Sequence, residues 1–438
     1  MLTMTDLFCG AGGSSSGAAQ VPGVVVRLAA NHWPLAVETH NANHPDTDHD
    51  CADLSQVDPR RYPRTDLLWA SPECTNHSVA RARPRNIDAT PDLFGDILPN
   101  EAAERSRATM WDVVRFAEHH RYRAVVVENV VDAAKWVLFD AWMTAMRSLG
   151  YAHRVVFLNS MHAHATGAPA PQSRDRMYVV FWRAGQAAPD LNRWTRPRAW
   201  CPNCDREVTA VQGWKNPARP WGRYRAQYLW RCPSVTCRNT IVEPDWLPAA
   251  TVIDWNLRGQ RIGDRAKPLA AKTIARIQAG LDKFANSPTA APLLVPVEGR
   301  DGKVAQPVTA PIRTMTTRSE TGVLIPDADG AARGRWGVVV PLRNHNTAKS
   351  TSEPLDTIAA AGTHHGLTIP APTVEDCEFR MLEPHEIKQA MAFDRDYLMH
   401  GNRREQVRLA GNAVTPPAAR DLIAAVAESL GHEIPAAA

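Results

Sequence analysis

Three polar clusters stand at the ends of apolar runs, and their residue types suit nucleophilic attack with acid assistance. Cys74 follows Pro72 just past the run 66–70, in Pro72-Glu-Cys74-Thr-Asn-His-Ser78. A cysteine past the carboxyl end of a parallel strand faces the ligand crevice of an open sheet, where partial exposure lets a thiolate form and react. Glu128 and Asn129 end the run 124–128 and bring a carboxylate to the same edge. Gln172, Arg174 and Arg176 immediately precede the run 177–182. A thiol, a carboxylate and two guanidiniums together support nucleophilic addition with acid assistance. The first run opens into Asp6-Leu-Phe8-Cys-Gly10-Ala-Gly12-Gly13, a glycine-rich turn of the kind that takes an adenosine-containing ligand. The dinucleotide pattern G-x-G-x-x-G fails because Ser15 holds its last place, and no phosphate-cradling G-x-x-x-x-G-K-[ST] loop exists. Asp53, before Leu54, could accept from an adenine amino group or simply close a turn.

These clusters need a sheet to hold them. Runs at 4–8, 24–30, 66–70, 124–128, 153–159 and 177–182 read as strands, and 109–119 and 136–149 carry apolar residues at helical spacing. Alternating strands and helices predict an α/β, doubly wound Rossmann-like sheet over 1–183. Residues 79–105, rich in proline and arginine, break the rhythm and read as a long functional loop. From 184 to 377 proline and glycine become dense, predicting a smaller, irregular, β-rich domain with a helix at 273–284. Helical texture returns over 378–438, with a closing helix at 416–430 that rejoins the first domain. Three loose Pro-aliphatic repeats, at 266–274, 305–315 and 352–358, read as similar structural corners.

Hydrophobic residues at 44% and charged residues at 22% exclude wholesale disorder, and no apolar run reaches the length of a membrane span. The polar N-terminus does not read as a signal peptide, so a cytoplasmic protein is expected. Net charge is +4, but segment 184–377 holds 25 Lys and Arg against 17 Asp and Glu, with 8 of the 14 tryptophans. A basic, tryptophan-rich insert suits contact with a polyanion. Within it, Cys201-Pro-Asn-Cys204 and Cys232-Pro-Ser-Val-Thr-Cys237 have the spacing of a zinc ribbon over 199–240, a structural Zn²⁺ site of four thiolates. Trp200 and Trp230 are expected to pack on it as strand residues. Cys9, Cys51 and Cys377 read as packing residues, and His162 and His164 as loop residues.

Taken in order, the motifs resemble those of the cytosine-C5 DNA methyltransferases. They are Asp6-Leu-Phe-x-Gly-x-Gly-Gly13, Asp53, Pro72-x-Cys74, Glu128-Asn-Val130, Gln172-x-Arg174-x-Arg176, Arg380-x-Leu382-x-Pro384-x-Glu386 and Gly411-Asn-Ala-Val414-x-Pro416. The resemblance covers roughly 1–183 and 378–425 and leaves the basic insert where the family has its target-recognition domain. It implies S-adenosyl-L-methionine as cofactor, double-stranded DNA as partner, and a cytosine flipped out of the helix. Cys74 would add to C6, Glu128 would hydrogen-bond and protonate N3, and the methyl group would pass to C5. Asn129 would order the loop bearing Cys74, and Arg174 and Arg176 would hold the flipped base and steady the nucleophile loop. Asp6, Phe8, Gly10, Gly12, Gly13, His32, Trp33, Asp53, Leu54, Asn412 and Val414 would line the cofactor pocket. Ser78, Arg81, Arg83 and Arg85 would meet DNA from the loop, and Arg343 and Asn344 from the recognition segment, where Arg–guanine and Asn–adenine pairings are geometrically sensible.

Two departures stand out. The family usually writes Pro-Pro-Cys-Gln-Gly-Phe-Ser at the nucleophile, whereas Glu73 precedes Cys74 here. Its second strand usually ends in an acid, where this chain has His32 ahead of Trp33. The His32 departure leaves open a modified, more negatively charged alkyl donor. The same motifs would also suit a tRNA cytosine methyltransferase or an inactive DNA-binding relative. A monomer suffices for one flipped base, and a restriction endonuclease is a possible companion.

Overall fold

The computed structural model describes residues 1–72, 98–284, 293–297, 303–315, 317–318, 320–325, 338–341, 349–350, 365–368 and 373–435. Cys74, Ser78, Arg81, Arg83, Arg85, Arg343, Asn344 and the third repeat lie outside them. The chain divides into two compact units, one of 1–252, 311–319 and 383–438, the other of 253–310 and 320–382. Residues 184–252, beyond the change of texture, group with the first unit. The cysteine pairs belong to the first unit.

The first unit is built on strands β1 (Leu2–Leu7), β2 (Val24–Asn31), β3 (Asp48–Cys51), β4 (Leu67–Ala70), β5 (Ala124–Val130), β6 (Tyr151–Asn159), the two-residue β7 (Gln172–Ser173) and β8 (Asp175–Arg183). Seven form one sheet in the order β3-β2-β1-β4-β5-β8-β6, while β7 pairs instead with Ile312–Arg313. The sheet is mostly parallel. β8 departs from the expected pattern, running antiparallel to both β5 and β6. The polar strand β3 has no apolar run to announce it.

Central strands are apolar on both faces because both faces are covered. The first helices of this unit are α1 (Gly13–Ala19), α2 (Pro34–Asn43), α3 (Leu98–His120) and α4 (Phe139–Ser148). Leu68, Val125, Val127 and Phe181 share one core with Val113, Phe116 and Trp142 of α3 and α4. Trp69, Val126 and Val180 share the opposite core with Leu422, Ile423 and Val426 of the helix Pro416–Ser429. That helix is buried almost throughout, beyond the single apolar face its periodicity suggests. It presses on α1 (Gly13–Ala19) so closely that a Cβ on Gly17 would lie 2.5 Å from the Pro416 carbonyl oxygen. Helix α3 begins at Leu98, so the last part of the expected loop 79–105 is helical. A short helix, Leu191–Thr195, leads into two hairpins. β9 (Arg198–Cys201) pairs with β10 (Arg206–Thr209), and β11 (Val211–Trp214) with β12 (Tyr228–Arg231).

The second unit is β-rich. Strands Gln260–Arg261, Glu378–Met381, Thr321–Ile325, Leu293–Pro296 and Gln306–Pro307 form an antiparallel sheet in that order. The helix Ala271–Phe284 brings Ile277 into a core with Leu293, Val295, Leu324 and Phe379. Arg380 of the Arg-x-Leu motif donates to the carbonyls of Asp254 and Leu257 within this unit. The first repeat leads into that helix, whereas the second makes strand, turn and strand. They are not the similar corners expected.

Candidate active site

Register collects the polar ends of the strands at one edge. Leu7 lies beside Ala30 on one side and Ala70 on the other, and Ala70 beside Val127. The chain therefore leaves β1 and β4 at the same level, and β5 runs three residues further to Val130. Because β8 is antiparallel, its start reaches this edge too, with Arg176 opposite Val130. Glu128 and Arg176 are diagonal neighbours on one face, and Arg176 Nε stands 2.8 Å from Glu128 Oε1. Both side chains are mostly shielded from solvent, at 13% exposure for Arg176 and 12% for Glu128. Such a pair is held harder than a surface one.

Asn129 is buried, and its amide nitrogen donates to the Pro72 carbonyl at 3.3 Å while its Oδ1 accepts from Val130 N at 2.8 Å. The chain that continues to Cys74 is thus tied to the strand carrying Glu128. Arg174 does something different from the base-holding role expected of it. It is buried, and its guanidinium donates to the carbonyls of Met315, Gly411 and Ala413. Gln172 likewise accepts from Met315 N and donates to the Ala390 carbonyl. These two side chains staple segments far apart in sequence, leaving Arg176 as the arginine beside Glu128.

The glycine-rich loop has its own scaffold. Phe8, Gly10 and Gly12 have φ of +59°, +53° and +87°, a left-handed path that folds the chain back over the sheet edge. Asp6 lies fully buried beneath, its Oδ2 accepting from the hydroxyls of Ser14 and Ser15 at 2.6 Å each. Burial pushes its carboxyl up to about 6. Asp6 therefore shapes the loop from below. Gly13 is packed to the limit, since a Cβ there would lie 1.9 Å from the Val414 carbonyl oxygen. Tyr397 donates its hydroxyl to the Ala11 carbonyl. Gly10 differs, because a Cβ built on it meets no atom within 4 Å. The loop is pinned on one side and open on the other.

The open side adjoins the ends of β2 and β3, where Ala52 N donates to the Asn31 carbonyl. His32 is exposed, and Trp33 is half-buried with the Arg408 guanidinium 4.5 Å above its ring. Asp53 is exposed and caps the turn Leu54–Gln56 by accepting from Ser55 N and Oγ at 3.1 and 2.8 Å. Leu54 and Val414 are buried and Asn412 is exposed. Sequence reasoning missed Arg115, which donates to the carbonyls of Leu54 and Val57 and so fastens the Asp53 turn to α3. It also missed His40, His44 and His49 beneath the glycine loop. His40 bridges Ser15 Oγ at 2.9 Å and His49 Nε2 at 2.7 Å, and His44 meets Ser16 Oγ at 3.1 Å.

The matching family model decides the kinship, covering residues 2–199 and 314–428 under the description C-5 cytosine-specific DNA methylase. The chain belongs to this family. Among its relatives, the type II methyltransferase M.AgeI of Thalassovita gelatinovora is 30% identical over 193 residues, 41% of this chain and 39% of that protein. The type II methyltransferase M.HgiBI of Herpetosiphon aurantiacus is 27% identical over 198 residues, 44% and 39% of the two chains. The chain thus matches about two fifths of the length of these curated relatives. The S. pombe Dnmt2 methyltransferase superposes with a TM-score of 0.52 at 13% identity, covering 99% of this chain and 100% of that one. The Entamoeba histolytica methyltransferase EhMeth gives 0.50 at 11%, covering 99% of each. At such identities the likeness is one of fold.

The second cluster of chemical groups in the chain lies on the hairpins. Sγ atoms of Cys201, Cys204, Cys232 and Cys237 all lie within 4.8 Å of one another, with Cys201–Cys237 at 4.0 Å and Cys204–Cys232 at 3.8 Å. Tetrahedral thiolates on bonds of about 2.3 Å would stand about 3.8 Å apart. Trp230 is buried beside them, but Trp200 is 56% exposed and packs on nothing comparable. Cys9 and Cys377 are buried as expected, whereas Cys51 is exposed. His162 is not a free loop residue, since it is buried and its Nδ1 accepts from Trp230 Nε1 at 3.0 Å.

Proposed function

We propose that this methylase transfers a methyl group from S-adenosyl-L-methionine to C5 of a flipped-out cytosine in double-stranded DNA. The observation that carries this is the Glu128–Arg176 pair beside the Asn129–Pro72 bond, which fastens the chain entering Cys74 next to a shielded carboxylate. Cys74 adds as thiolate to C6 of the ring. Glu128 hydrogen-bonds and protonates N3, taking up the charge that develops as the addition proceeds. Arg176 orients the Glu128 carboxylate. C5, now nucleophilic, accepts the methyl group, a base removes its proton, and the Cys74 thiol leaves as the ring regains its double bond.

We assign the cofactor to the open space over Gly10, between Phe8, Trp33 and Asp53. Bound there, S-adenosyl-L-methionine supplies a methyl group activated on a sulfonium. Asp6 and Gly13 keep the loop in shape. We assign a structural zinc ion to Cys201, Cys204, Cys232 and Cys237, whose sulfur spacing supports it. Target recognition falls to the second unit, with Arg343 and Asn344 reading bases, while Ser78, Arg81, Arg83 and Arg85 meet phosphates. The type II relatives support a restriction-modification role beside a nuclease of matching specificity.

Duplex DNA carrying 5-fluorodeoxycytidine tests the reading, because fluorine at C5 blocks the final proton removal. With cofactor present, wild-type protein should stay covalently attached through Cys74, and Cys74→Ala should not. Attachment through another residue, or none, overturns it.

A further inference from the structure

The insert's second hairpin does more than support the cysteine cluster. Segment 221–224, between β11 and β12, reaches the two strand ends that carry Glu128 and Arg176. Beyond Glu128 the chain runs to Val131 and Asp132. The Val131 carbonyl accepts from Trp221 Nε1 at 2.8 Å, and the buried Asp132 carboxylate meets Arg223 Nη2 at 2.6 Å. Lys135 also faces Asp132 at 3.4 Å and stands 3.8 Å over the Trp221 ring. On the other strand Asp175, next to Arg176, accepts from Tyr224 N at 3.0 Å. Three insert residues within four positions thus hold both exits of the catalytic pair.

We propose that Trp221, Arg223 and Tyr224 form a positioning clamp that sets the geometry of Glu128 against Arg176. The inference rests on the reading of Glu128 as the N3 acid. An acid must stay within hydrogen-bond reach of its target in the transition state, and small displacements there cost rate steeply. The Asp132–Arg223 pair is anchored deeply, with the Asp132 side chain 3% exposed. Its loss leaves a buried carboxylate short of a partner and loosens the turn four residues beyond Glu128. The polar contacts of Trp221, Arg223 and Tyr224 run to Val131, Asp132 and Asp175, so cofactor affinity should not depend on them.

Single-turnover methylation of duplex DNA by Arg223→Met, Arg223→Lys and Trp221→Phe tests this. Cofactor affinity by calorimetry serves as the control for folding. Arg223→Met should lose about 10- to 100-fold in the chemical rate with cofactor affinity unchanged. Arg223→Lys, which keeps a charged donor, should recover most of that loss. Trp221→Phe, which removes only the Val131 donor, should lie between. Should Arg223→Met fail to bind cofactor, Trp221→Phe against wild type decides. An unaltered rate in variants that bind cofactor overturns the clamp, as does a loss that Arg223→Lys does not restore. A silent wild-type protein would instead sink the reading of Glu128.

Discussion

Arg176 Nε stands 2.8 Å from Glu128 Oε1, joining two strands that run in opposite directions at the edge where the reacting base would sit. In the proposed reaction the pair orients one carboxylate oxygen and leaves the other for the ring. Glu128→Gln keeps the shape but cannot give a proton to N3. Its single-turnover rate should fall about 10²- to 10⁴-fold, as for loss of a general acid. Arg176→Ala should also fall, through lost orientation. Arg174→Ala should instead lower the melting temperature, since its guanidinium holds three backbone carbonyls.

The glycines of the loop separate packing from binding. Gly13→Ala places a Cβ 1.9 Å from a backbone oxygen and should destabilise the fold by more than about 2 kcal/mol. Gly10→Ala has room, but its φ of +53° costs about 1 kcal/mol in the left-handed region. Its main effect should be on the cofactor, which the new methyl group would meet in the space over the loop. Melting temperature and calorimetric affinity for S-adenosyl-L-methionine together check the contrast.

Acid should weaken the loop's foundation. Burial holds His44 down to about 4 and pushes His40 the same way, with His49 also lowered. The unfolded chain takes up protons below about 6.5 that the folded rings refuse. Their stabilisation is full above that pH and is lost as pH falls toward 4, by about 3 kcal/mol at most for His44. Asp6, raised to about 6 by burial, acts in the opposite direction over the same range. Melting temperatures should fall more steeply between pH 6.5 and 4.5 for wild type than for His44→Gln.

Metal analysis of the purified protein should find one zinc per chain. Cys232→Ser should lose it and lower the melting temperature, because the cluster shares a core with Tyr228, Trp230 and Met161 of the first unit. Retention of zinc in that variant would contradict the assignment.

The central strands were legible because continuous apolar runs mark a sheet covered on both faces. β3 was not, since an edge strand reading Asp-His-Asp-Cys buries too little to show a pattern. The direction of β8 mattered most. In an all-parallel sheet, residues ahead of a strand lie at the opposite edge from those behind one, so Arg176 would never have met Glu128. Reversal of β8 is what brings Arg176 to Glu128. The two arginines looked alike because spacing sees only neighbours, whereas the partners of Arg174 lie 141 to 239 residues away. The grouping of 184–252 with the first unit was hidden for a similar reason. Dense proline, glycine and tryptophan report small hairpins, but not the body on which they pack.

Mass spectrometry of nucleosides, from DNA of cells lacking cytosine methylation and expressing this chain, tests the central claim most directly. We expect deoxycytidine to gain the mass of one methylene, with no gain for Cys74→Ala. A gain that survives Cys74→Ala, or modified cytidine in RNA with none in DNA, would contradict the account.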